Sequence, residues 1–278
     1  MPTLAKCSKF IAPIFSEFGG IIKEPDSREQ GTMTFLIYRD FHLGITAKHV
    51  VGDYELPSLE QNLSLALTKM RPLPGRLVYA SPSDPLDGPA DLAIFALHGA
   101  SIVDGGKDFL PEPMAITTLQ VGDWCLSKGY PGELRGPHKT RPNVMQHPQV
   151  DVAAQCEGVS DRRIRVGAGK ARHDKGRFSF GGMSGGPIFK HVTEDDLEFV
   201  GMITEGIGPR EQCLTEPGVV EETDGILVNG IPITKTILSR LLDHLPEKLL
   251  AVQPLRVLRR IHVVDKLPRS GDSDINGK

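Results

Sequence analysis

Thirty glycines and 22 prolines break this 278-residue chain into short segments. Breakers at that density, with no dominant long helical pattern, favour many short elements, so the expected fold is all-β or α+β. The runs between them agree. Residues 31–38 (GTMTFLIY) alternate polar and apolar side chains and are rich in β-branched and aromatic residues, which reads as a strand. After a polar turn at 39–42, LGITAKHVV reads as a returning strand that ends at His49, so the pair forms a hairpin. Residues 9–23 read as two short strands around Gly19-Gly20, and GRLVYA and ADLAIFAL as two more. Residues 57–72 fit a strand or a short helix equally well. Six or so short strands by residue 100 point to a small closed sheet.

Residues 100–120 carry Gly, Asp and Pro signals and read as the connection to a second half. That half continues through VGDWCLSKGYPG, VDVAAQCEGV and RIRVGAG to a hairpin made of PIFKH and FVGMITEG. Near the end, Ile233, Ile237, Leu241 and Leu242 recur at helical spacing behind Pro232, the clearest helix in the chain. The polar end, RSGDSDINGK, reads as a disordered tail.

Charge and cysteine usage narrow the function classes. A net charge of −3 and a pI near 6.3 argue against bulk affinity for nucleic acid. No apolar run approaches the ~18 residues of a membrane span, and the N-terminal stretch lacks the apolar core of a secretory signal. A cytoplasmic protein that avoids membranes is expected. Cys7, Cys125, Cys156 and Cys213 are widely spaced and form no metal-like cluster, so reduced thiols are expected, with Cys125 and Cys156 as buried filler.

The residues that carry chemistry centre on Gly181-Gly182-Met183-Ser184-Gly185-Gly186-Pro187. Glycines around a serine let the backbone turn tightly and aim successive N–H groups at one point. Acyl transfer needs both features, because negative charge develops on the former carbonyl oxygen. Serine is a weak nucleophile and needs a base, and the base needs an orienting group. Of nine histidines, His49 stands at a strand edge behind the small residues Thr46 and Ala47. Asp91 abuts the apolar run LAIFAL, where a partly buried carboxylate needs a partner. His173 lies in a glycine-flanked polar stretch and is the weaker base.

Together these segments resemble the trypsin-like serine peptidases. TAKHVV matches the family's T-A-x-H segment, Asp91-Leu92-Ala93 its D-[LIV]-A segment, and GGMSGGP its G-x-S-G-G-P. The order His, Asp, Ser is also the family's. The resemblance implies two six-stranded antiparallel β-barrels with a C-terminal helix: a barrel at 9–110 with His49 and Asp91, a barrel and helix at 111–250 with Ser184, and a tail at 251–278. It implies a serine endopeptidase without metal or organic cofactor. Ser184 would be the nucleophile, His49 the base, Asp91 its orienting group, and the Gly182 and Ser184 amides the oxyanion hole. Thr204, Glu205 and Gly206 match the strand that pairs with an extended peptide substrate, and Phe178 matches the floor of the specificity pocket.

The chain also departs from the secreted members. Met183 replaces the aspartate that pairs with a freed N-terminus, and no cysteine lies near His49. Both features resemble intracellular or bacterial types. Phe178 suggests a small or apolar P1 residue, whereas Glu205 suggests a basic group nearby. Seven cations between Arg162 and Arg177 could dock an acidic substrate or a nucleic acid, or line a solvated loop and hairpin edge. Three rivals remain: a catalytically inactive peptide-binding module, a latent peptidase switched on by a regulatory partner, and an α/β-hydrolase. The last requires a helix after the serine, where PIF reads as a strand.

Overall fold

The computed structural model describes residues 4–16, 29–52, 63–67, 70–82, 90–168, 181–193, 196–207, 212–216, 219–222 and 226–243. Phe178, Lys170–Arg177 of the basic stretch, the second strand expected near residue 20 and the tail from 251 lie outside them.

The first half is one antiparallel sheet. Its strands are β1 (Ile11–Ser16), β2 (Glu29–Tyr38), β3 (Phe41–Ala47), β4 (Leu63–Ala66), β5 (Met70–Pro72), β6 (Gly75–Ala80) and β7 (Leu92–Leu97). Their order is β5-β4-β1-β2-β3-β7-β6. The expected hairpin is β2–β3, with Tyr38 opposite Phe41 around a left-handed Arg39. The ambiguous 57–72 region resolves into β4 and β5 where it is described. The sheet has seven strands rather than six, and no closing pair joins β5 to β6 among the described residues.

The second half closes. β8 (Trp124–Gly129), β11 (Val150–Val159), β12 (Ile164–Ala168), β13 (Pro187–His191), β14 (Leu197–Ile207) and β17 (Ile226–Pro232) form a six-stranded barrel in the order β11-β12-β17-β14-β13-β8. Two separate ribbons complete the strands, β9 (Gly136–His138) with β10 (Arg141–Gln146) and β15 (Gln212–Glu216) with β16 (Val219–Glu222). Closure gives every barrel strand a partner on both sides over part of its length.

The halves share a core. Phe35, Phe95 and Leu43 of the first sheet belong to the same buried cluster as Phe189, Phe199 and Met202 of the barrel. The C-terminal helix, Lys235–Leu242, adds Leu238 and Leu242 to that cluster. Thr234 caps it by accepting the Ile237 N–H at 3.2 Å. The Tyr38 hydroxyl meets Ser239 at 2.8 Å and donates to Asp243 at 3.1 Å, so a helix sequentially in the second half is bolted to the first. No helix among the described residues is long and apolar enough to cross a membrane.

Cys7, Cys125 and Cys156 are buried. Burial pushes the Cys7 thiol up to about 11 and the Cys125 thiol up to about 12, and raises Cys156 as well. A thiol at 11 is thiolate to only about one part in 10³ at pH 8, and the thiolate is the reactive form. In native protein at pH 8 these three cysteines will therefore resist alkylation by iodoacetamide, and all three will react in denaturant; peptide mapping by mass spectrometry reads both states.

Candidate active site

His49 does not continue β3. The strand stops at Ala47, and Lys48–Val51 form a single helical turn that Gly52 ends at φ +74°. The cause lies in the partner segment. The Lys48 N–H donates to the Asp91 carbonyl at 3.1 Å, and the His49 N–H donates to Asp91 Oδ1 at 2.8 Å. Two successive amides converge on one residue, which a flat strand cannot do because its amides alternate sides. Asp91 itself sits at φ +59°, a left-handed conformation that Asp tolerates better than most residues.

The same turn brings His49 Nδ1 to 2.7 Å from Asp91 Oδ2. One carboxylate thus holds both the backbone and the ring of His49. The Asp91 side chain is 28% exposed and that of His49 is 55% exposed. The imidazole therefore faces solvent while its orienting group is partly shielded.

Ser184 arrives from the other half, and β2 holds it there. The Thr32 N–H donates to the Ser184 carbonyl at 2.8 Å, and Thr32 Oγ1 donates to the Gly182 carbonyl at 2.9 Å. Thr34 Oγ1 donates to the Gly185 carbonyl at 2.8 Å. Thr32 Oγ1 also accepts the Tyr130 N–H at 3.0 Å, and Thr46 Oγ1 donates to the Thr32 carbonyl at 2.8 Å. All three threonines are fully buried. The polar face of GTMT is thus not a solvent face. It is a clamp on the serine loop, and sequence reading missed it because alternation marks a second face without saying what covers it.

Two glycines of that loop are sterically required. Gly182 lies at φ +96°, and a Cβ there would come within 2.7 Å of the Tyr130 carbonyl and 2.8 Å of the Gly132 nitrogen. Gly185 lies at φ +92°, and a Cβ there would collide with the Thr32 carbonyl and with Thr46 Oγ1. That contact also places the serine loop against Thr46, just before the His49 turn. The Gly185 and Gly186 amides are spent on Ile203 and Met183 carbonyls at 2.7 and 2.9 Å. Those of Gly182 and Ser184 donate to no described residue.

The Ser184 hydroxyl donates to the Thr204 carbonyl at 3.0 Å. Thr204 begins a stretch of β14 with one open edge. Upstream, β14 pairs with β13 as far as Met202. Beyond it, Glu205 and Gly206 pair only with Asn229 and Val228 of β17 among the described residues. Asn229 is buried, and its Nδ2 donates to Glu205 Oε2 at 2.9 Å while its Oδ1 accepts Arg163 at 3.1 Å. Neither Asn229 nor this relay carried any signal in the sequence. No group of metal-ligating side chains occurs among the described residues.

No protein-family model and no curated protein matches this sequence. Solved structures do match. The inactivated protease paralogue S-I1 of the scabies mite aligns over 89% of this chain and 98% of its own, at 14% identity and a TM-score of 0.51. The serine protease Anisep of Arthrobacter nicotinovorans aligns over 86% and 94%, at 15% identity and a TM-score of 0.47. The thermostable serine protease AL20 of an extremophilic microorganism aligns over 84% and 95%, at 11% identity and 0.48. The chain has the trypsin-like serine protease fold. Since an inactivated protease shares it, the fold leaves catalysis to be argued from the site.

The clamp makes a graded prediction. Thr32→Val strands two partners, the Tyr130 N–H and the Gly182 carbonyl, whereas Thr34→Val strands the Gly185 carbonyl alone. At about 1–3 kcal/mol per unsatisfied group, Thr32→Val should cost about 2–6 kcal/mol and Thr34→Val about half as much. Urea denaturation of the two near-isosteric variants measures the difference.

Proposed function

We propose that this protein is a serine endopeptidase that works through His49, Asp91 and Ser184. The observation that carries the reading is the doubly held His49, with its ring 2.7 Å from Asp91, together with a glycine-flanked serine whose loop packs against Thr46 just before the His49 turn. With Asp91 accepting Nδ1–H, the imidazole keeps a lone pair on Nε2. That is the tautomer a general base requires.

The chemistry follows from those roles. A peptide adds as a strand to the open edge at Thr204–Gly206, which gives affinity through main-chain bonds. Ser184 Oγ attacks the scissile carbonyl carbon and its proton passes to His49 Nε2. Negative charge on the former carbonyl oxygen meets the Gly182 and Ser184 amides. Preorganised donors of this kind are worth about 10²–10³ in rate each. The tetrahedral species collapses as the C–N bond breaks, and the leaving amine takes the proton from His49. Water, deprotonated by the same imidazole, then cleaves the acyl-serine ester. Asp91 keeps the ring oriented and stabilises the imidazolium throughout.

A second reading draws on the serine rotamer. The hydroxyl rests on the Thr204 carbonyl and must turn away from it before attack. A latent peptidase, in which a regulatory partner or the substrate strand itself displaces that bond, would appear inert alone. Coarse function is the same in both readings, a protease-like fold that engages peptides.

A fluorophosphonate probe distinguishes them. Ser184 should be covalently labelled, with the adduct mapped by mass spectrometry. Ser184→Ala and His49→Ala should abolish labelling, and Asp91→Asn should slow it by about 10³–10⁴-fold. Labelling only with added peptide or in cell lysate would mark the latent form, and absence of labelling in folded wild-type protein under all three conditions would overturn the catalytic reading.

A further inference from the structure

We infer that Glu205 is a specificity determinant that selects a basic side chain at the substrate residue just before the one bearing the scissile carbonyl. The inference rests on the peptide-docking edge described above and assigns it a chemical preference.

Register comes first. The Thr204 carbonyl lies 3.0 Å from Ser184 Oγ, so it points out of the open edge toward the nucleophile. A peptide residue whose carbonyl carbon is attacked by that oxygen must therefore lie opposite Thr204. Each strand pair of this barrel is antiparallel. An added strand that continues the pattern runs against β14, so the preceding peptide residue lies opposite Glu205. Directly opposed residues of an antiparallel pair put their side chains on the same face, about 4.5–5.5 Å apart between Cβ atoms. Opposite charges stabilise such a pair and like charges destabilise it.

The state of the carboxylate comes second. Glu205 is exposed, yet it is not a free rotor. Asn229 is only 4% exposed and grips Glu205 Oε2 at 2.9 Å through its amide nitrogen. Its amide oxygen takes Arg163 at 3.1 Å on the other side. The carboxamide is thus a spacer. It turns a donor toward the glutamate and keeps the guanidinium one residue away, so the carboxylate is oriented without being capped by the arginine. Gln at 205 could keep the Asn229 bond but not the charge. Asn229 is the positioning residue, and Glu205 is the group that meets the substrate. Preorientation removes part of the entropy that an exposed ion pair normally costs.

The test is a competition between substrates. Fluorogenic peptides randomised at the scissile-carbonyl residue would carry Lys, norleucine or Glu at the residue before it. At low salt, wild-type kcat/KM should rank Lys above norleucine above Glu, by up to about fivefold per step. The ratios should shrink at 0.5 M salt because the pair is solvent-facing. Glu205→Gln should bring all three within about 1.5-fold, and Glu205→Lys should invert the order. Ratios that survive both substitutions would overturn the inference. Fluorophosphonate labelling of Ser184 in each variant reports separately on the nucleophile. If wild type labels nothing and cleaves nothing, anisotropy of the same three peptides bound to wild type and to Glu205→Gln decides the question. A Lys preference lost in the variant upholds the acidic subsite without catalysis, and equal affinities in wild type overturn it.

Discussion

The rest of the structure depends on the hydrogen bonds that Thr32 and Thr34 send across the two halves. Through them β2 supports Gly182, Ser184 and Gly185, while Thr46, just before the His49 turn, closes the set by bonding the Thr32 carbonyl. Ser184 and His49 are carried by different sheets, so their relative position is only as good as the seam between those sheets. An apolar seam would hold the halves together but would let them slide. Buried hydrogen bonds are directional, and a slip of one residue would leave several groups unsatisfied at once.

The serine loop is held from its other side by apolar packing. Met183 is fully buried in the barrel core with Cys125, Val152 and Ile188. It packs so closely on Gly129 that a Cβ there would lie 2.8 Å from the Met183 Cα. The loop is thus anchored by a buried apolar side chain.

The candidate residues were legible in the sequence. The glycine-flanked Ser184, the small residues before His49 and the acid at the head of an apolar strand each follow from local chemistry. The structure joins His49 to Asp91 directly and seats Ser184 at the same seam. Other features were not legible. His49 sits on a helical turn, because Asp91 draws two successive amides to itself and ends β3 two residues early. The first sheet has seven strands because 63–72 supplies two short ones, where length and periodicity were silent. Asn229 gave no signal, since its importance comes from Arg163, just before β12, and Glu205 of β14, which meet it from elsewhere in the chain.

By itself the sequence determined the class of the fold, through breaker density and period-2 runs, and the residue types the chemistry could use. Those are local properties, set by backbone sterics and side-chain reactivity within a few residues. Tertiary structure alone decided which polar face was buried, where the histidine's strand ended, which carbonyl the serine hydroxyl rests on and what orients Glu205. Each of these depends on hydrogen bonds between residues about 14 to 150 positions apart. Only strand pairing in the first sheet, the closing of the barrel and the packing of the two halves bring such donors and acceptors within about 3 Å.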